Sequence, residues 1–186
     1  MSTTRKVAVL VGSLRKGSLN RKMANALAGL APEPLQLAIV EIGQLPLYNA
    51  DDDANPVPVV LQFREQIGAA DALLFVTPEF NRSVPGALKN ALDVGSRPYG
   101  KSMWNGKPGA VISVSPGAIG GFGANHHLRQ SFVFLNVPTM AMPEAYIGNA
   151  ASLFDDRGAL TNDSTRAFLQ KFMQAFAQWI ERNASG

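Results

Sequence analysis

Gly12-Ser13-Leu14-Arg15-Lys16-Gly17-Ser18-Leu19-Asn20 joins two kinds of hydrophobic pattern. Before it runs an unbroken apolar segment, Val7 to Val11, which reads as a buried β-strand. After it Met23, Leu27 and Leu30 recur at the spacing of one helix face. A strand-to-helix turn rich in glycine, hydroxyls and arginine is suited to holding an anion. Backbone N–H groups and the helix N-terminus supply fixed positive potential, and the side chains add donors. A phosphate monoester fits such a loop; ordinary capping of the helix by its hydroxyls is the other reading.

The strand–turn–helix unit repeats along the chain. The pattern predicts strands at Val7–Val11, Leu35–Ile42, Ala72–Thr77, Ala110–Val114 and Thr139–Met142. It predicts helices at Leu19–Leu30, Pro58–Ala69, Pro85–Val94 and Asn125–Phe134, then a last one carrying Phe168, Leu169, Phe172, Met173, Phe176, Trp179 and Ile180 on one face. Alternating strands and helices imply a parallel sheet with right-handed crossovers and helices on both faces. Five strands suit a flavodoxin-like three-layer α/β sandwich of order 2-1-3-4-5, and residues 1–186 read as one domain.

Composition narrows the function classes. The 186 residues are 46% hydrophobic and 17% charged, as expected of a soluble globular chain. Net charge is +3 with scattered basic residues, so no nucleic-acid footprint is expected. The absence of cysteine removes disulfides, thiolate metal sites and every cysteine nucleophile. The apolar run behind Arg5 and Lys6 is too short for a signal-peptide core, and none approaches a membrane span. A cytoplasmic protein with no membrane contact and no metal is expected.

In doubly wound sheets ligands sit beyond the carboxyl ends of the strands, where strand order reverses. Three predicted loops end there: Gly12–Asn20, Thr77–Gly86 and Ser115–Gly123. All are rich in glycine, proline and hydroxyls. The first can neutralise a phosphate. The other two offer backbone groups, small residues and the aromatic Phe80, which suits a flat heterocycle. A phosphate joined to a flat redox ring is flavin mononucleotide (FMN). The first turn lacks the Gly-Lys-Ser/Thr ending of a nucleoside-triphosphate loop, and His126 breaks a dinucleotide fingerprint at Gly121-x-Gly123. A receiver domain would carry acidic residues after the first strand, where this chain is basic.

These segments resemble the NAD(P)H-dependent FMN reductase family, especially its bacterial quinone and chromate reductase branch. Gly12 to Asn20 resembles the family's phosphate loop and Pro78-Glu79-Phe80-Asn81 its isoalloxazine loop, with Val84 to Ala91 as the helix start behind it. Ser115 to Gly121, Leu128-Arg129-Gln130 and Leu45-Pro46-Leu47-Tyr48-Asn49 also match, so the likeness runs from Val7 to beyond Pro143. One departure stands out: members commonly carry tyrosine where this chain has Phe80.

The resemblance implies bound FMN and a ping-pong reaction in which NADH or NADPH gives a hydride to flavin N5. The acceptors would be quinones or other small molecules such as chromate, azo compounds or free flavin. It assigns Ser13, Arg15, Ser18, Leu19 and Asn20 to the phosphate and ribityl end. Pro78, Glu79, Phe80 and Asn81, with Ser115 and Gly117, would hold the ring, mostly through backbone groups. No general base is assigned, and Glu79 is expected to be structural. A homodimer or homotetramer is implied. The rival is a flavodoxin-type electron carrier, which binds FMN without a nicotinamide site; such carriers are strongly acidic.

Two loops carry weaker signals. Gly43–Val57, with Asp51, Asp52 and Asp53, is expected to be a solvated loop, its carboxylate spacing matching no calcium loop. Ser96–Gly106 holds Tyr99 and Trp104 among polar residues, and the expectation is that it covers the flavin or a subunit interface, or is a plain surface loop. His126 and His127 are expected to cap a helix or lie at the surface.

Overall fold

Strands with no polar face need cover on both sides, and the chain provides it at the middle of its sheet. The computed structural model describes residues 3–183. Among them β1 (Arg5–Val11), β3 (Ala72–Thr77) and β4 (Gly109–Val114) lie centrally, and every residue of β3 and β4 is buried. β2 (Leu35–Val40), which alternates between buried and open positions, takes one edge, and the short β5 (Ala145–Ile147) takes the other. All pairings are parallel and the order is β2-β1-β3-β4-β5, as expected.

Side chains alternate between the two faces of each strand, so the sheet separates two apolar clusters. Val9, Val11, Leu74, Val76 and Ile112 pack against Met23 and Leu27 of α1 (Leu19–Leu30) and Phe172, Phe176 and Ile180 of α5 (Asp163–Asn183). Leu10, Leu73, Phe75 and Val111 face α2 (Pro58–Gly68), α3 (Gly86–Gly95) and α4 (Phe122–Leu135).

Two expectations are corrected. The fifth strand is not Thr139–Met142 but Ala145–Ile147. Thr139 makes a single bridge to Gly109, and Met140 donates its N–H to the Gly109 carbonyl at 2.8 Å. Pro143 has no N–H to continue the ladder, and the chain rejoins β4 only where Ala145 meets Ile112. Trp104 is fully buried among Phe63 and Phe75 and donates its indole N–H to the Leu92 carbonyl at 2.9 Å, so it covers neither flavin nor interface. The Gly43–Val57 segment contains a short 3₁₀ turn, Ala50–Ala54, whose Asp53 accepts from the Tyr48 hydroxyl and Arg64.

Candidate functional site

Parallel register sets the three loops side by side. Val11 pairs with Val76, and Thr77 with Ser113, so β1, β3 and β4 end level with one another. The chains leaving them touch at three places. Gly12 runs so close to the next loop that a Cβ there would lie 3.0 Å from Pro78 Cδ and 3.1 Å from Thr77 Oγ1, which is why glycine stands at this turn. Asn20 Nδ2 donates to the Val114 carbonyl at 3.3 Å, tying the start of α1 to the end of β4. Glu79 Oε2 accepts from the Ala124 N–H at 3.2 Å, joining the second loop to the third.

Ser18 caps α1, its hydroxyl accepting from the Arg21 N–H at 3.1 Å. The capping reading of this turn is therefore correct for Ser18, and it leaves the remaining anion donors in place. No acidic residue lies in the first turn of α1, and neither Arg15 nor Lys16 forms an ion pair among the described residues. Positive potential at this helix end is unopposed. Ser13 is half-buried, Arg15 open to solvent, and Leu19 half-buried.

Asn20 is buried, and its Oδ1 has no hydrogen-bond partner among the described residues. A buried acceptor without a donor costs about 1–3 kcal/mol, and a hydroxylated ligand chain would supply the donor. The residues therefore fit a phosphorylated polyol such as the tail of FMN.

A cleft of about 420 Å³ lies between the first two loops, lined by Gly12, Ser13, Leu14, Arg15, Phe80 and the α3 start Pro85–Ala87. Phe80 is 60% exposed there, so it is no core residue. Asn81 and Arg82 take left-handed φ values of 47° and 64° in a two-residue turn closed by paired hydrogen bonds between Phe80 and Ser83. In the third loop Ser115 Oγ accepts from the Gly117 N–H at 3.1 Å, and the Gly117 carbonyl accepts from the N–H groups of Gly120 and Asn149.

Gly86 and Ala87, which belong to the helix start that the sequence places behind the second loop, also wall the cleft. His126 and His127 lie within the first two turns of α4 rather than at its cap. His127 Nδ1 shares a 2.9 Å hydrogen bond with Ser83 Oγ, and His126 Nε2 shares one of 2.8 Å with the Tyr146 hydroxyl. Burial, with Glu144 nearby, pushes the Tyr146 phenol up to about 12. No carboxylate–histidine cluster suited to a metal occurs among the described residues.

Residues 5–152 match the model of the NADPH-dependent FMN reductase family. The chain belongs to that family. As a member of this FMN reductase family it is an FMN-dependent NAD(P)H oxidoreductase, and the electron-carrier alternative is not favoured. It is 67% identical over 184 residues, 98% of each chain, to a quinone reductase of Pseudomonas putida. It is 50% identical over 175 residues to a 2-hydroxy-1,4-benzoquinone reductase of a Burkholderia species, covering 94% of this chain and 96% of that one. Among solved structures, the flavoenzyme NAD(P)H:(acceptor) oxidoreductase FerB of Paracoccus denitrificans superposes with a TM-score of 0.92. It shares 44% identity, with 98% of this chain and 100% of that one covered.

Proposed function

We propose that this FMN reductase family member reduces quinones to hydroquinones with NADH or NADPH, holding FMN at the junction of the three loops. The observation that carries the placement is Asn20, whose unpartnered Oδ1 is buried where α1 meets β4. Bound FMN supplies a redox ring that takes a hydride at N5 and passes two electrons onward, work the side chains here cannot do.

The protein's part is to bind and orient. Arg15, Ser13 and the N–H groups at the start of α1 hold the phosphate, and Leu19 and Asn20 flank the ribityl chain. Ser18 acts through the helix end it caps. Backbone groups of Pro78, Glu79, Phe80 and Asn81, with Ser115 and Gly117, hold the ring edge. The open Phe80 ring packs beside a flat acceptor without donating a hydrogen bond to it. Reduction of a quinone takes up a hydride equivalent from the nicotinamide and a proton from water, so no buried acid is needed. The Pseudomonas putida and Burkholderia relatives are named as quinone and benzoquinone reductases, which favours that acceptor class for this chain. NAD(P)H makes the cytoplasm the compartment this reading requires.

Exposed Tyr99, Val133 and Phe134, each more than 75% open, favour a homodimer or homotetramer. Light scattering at micromolar concentration measures this directly.

Anaerobic absorbance spectroscopy tests the function. Purified protein loaded with FMN is mixed with NADH or NADPH, then with a benzoquinone. We expect the flavin band to bleach with at least one nucleotide and return with the quinone. A band that neither nucleotide bleaches would overturn the reading.

A further inference from the structure

Helix α4 begins at a left-handed glycine. Gly121 at its N-cap has φ 76°, offers no capping side chain, and is followed by a first turn without acidic residues. Such a turn leaves N–H donors and the positive end of the helix dipole unmatched. The match comes from 45 residues earlier: Glu79 Oε2 accepts the Ala124 N–H at 3.2 Å, and the Glu79 side chain is only 13% exposed. Two neighbours show that this contact is built closely. A Cβ on Gly123 would meet the Arg82 carbonyl oxygen at 2.7 Å and Glu79 Oε2 at 2.9 Å, and one on Gly121 would meet Ser113 Cβ at 3.1 Å. Glycine at position 123 lets the Phe80–Ser83 turn rest on this helix start.

Both carboxylate oxygens of Glu79 are engaged within the protein. One carboxylate oxygen is turned to α4, and the other lies 3.5 Å from the Arg82 guanidinium, whose side chain is 76% exposed. The turn it steadies holds Asn81 and Arg82 in the left-handed region, a conformation that costs free energy unless neighbours enforce it. His127 of α4, bonded to Ser83, is a second tether on the same turn.

We infer that Glu79 is a positioning residue: by capping α4 from the loop after β3, it presets the Pro78–Ser83 backbone in the shape that receives the flavin ring. The inference rests on the FMN site described above. It makes Glu79 neither a proton donor nor a flavin ligand through its side chain. An acceptor oxygen at the same reach is what the role requires, so Gln at position 79 retains it and Ala does not. Part of the loop's ordering would then fall on FMN binding in the Ala variant, weakening affinity by about tenfold.

Two readouts on the apoprotein and its FMN complex decide the matter. Amide hydrogen exchange on apoprotein is compared for wild type, Glu79→Gln, Glu79→Ala and Gly123→Ala, and FMN affinity is titrated by fluorescence quenching. We expect Glu79→Ala and Gly123→Ala to speed exchange at Ala124 and across Phe80–Ser83 and to weaken FMN binding by about tenfold, with Glu79→Gln close to wild type in both. Unchanged exchange and affinity in Glu79→Ala would overturn the inference, as would equal losses in Gln and Ala variants, which mark the charge or proton as essential. If Glu79→Ala does not fold, Gly123→Ala against Glu79→Gln carries the same comparison. Wild-type apoprotein that takes up no FMN, with the exchange pattern intact, overturns the FMN site while leaving the capping contact standing.

Discussion

Arg15 shows what a residue without partners can be for. It stands beside a helix end with no acidic neighbour in the first turn and forms no ion pair among the described residues. In the proposed site, removing it would take one charge-assisted contact from a bound phosphate, worth about 1.5–3 kcal/mol. Arg15→Ala is therefore expected to weaken FMN binding by about 10- to 150-fold in a titration of apoprotein, with the fold unchanged. Affinity equal to wild type would remove Arg15 from the phosphate site. Arg15 was legible in the sequence because its type and its place after β1 both point to an anion. Trp104 was not: polar neighbours from Ser96 to Gly106 make that aromatic look exposed, and only the packed fold reveals the apolar pocket into which it turns.

At the scale of elements, that tryptophan is the pin of the loop after α3. Its ring packs at 6.1 Å from Phe63 and 6.0 Å from Phe75, and a Cβ at Gly95 would lie 2.6 Å from its Cε2 atom. Cutting it back opens a large cavity under three elements. Trp104→Ala is expected to cost about 3–5 kcal/mol in urea unfolding. A loss below about 1 kcal/mol would mean the loop closes over the gap, contrary to a pinned loop. Element types and order were readable from hydrophobic period throughout. Boundaries failed where partners distant in sequence set them. α4 starts at Phe122, three residues before its apolar pattern, because a carboxylate from another loop caps it. β5 moved to Ala145–Ile147 because proline interrupts the ladder that Thr139 begins.

For the whole molecule, a ligand that binds only the folded state raises its stability by mass action. FMN at a thousandfold excess over its dissociation constant adds about 4 kcal/mol. For a chain of this size that corresponds to a melting temperature about 8–16 °C higher, read by differential scanning fluorimetry. The rise should shrink in Arg15→Ala at the same FMN concentration; an equal rise in both would place the phosphate elsewhere. Sequence by itself determined the α/β class and the three loops of the proposed site, since period, turn chemistry and residue type are local properties. Tertiary structure alone decided that Asn20 carries a buried acceptor without a partner among the described residues, that Glu79 serves α4, and that Trp104 lies inside. Each depends on which groups from remote segments meet, and hydrogen-bond satisfaction and close packing exist only once the chain has folded.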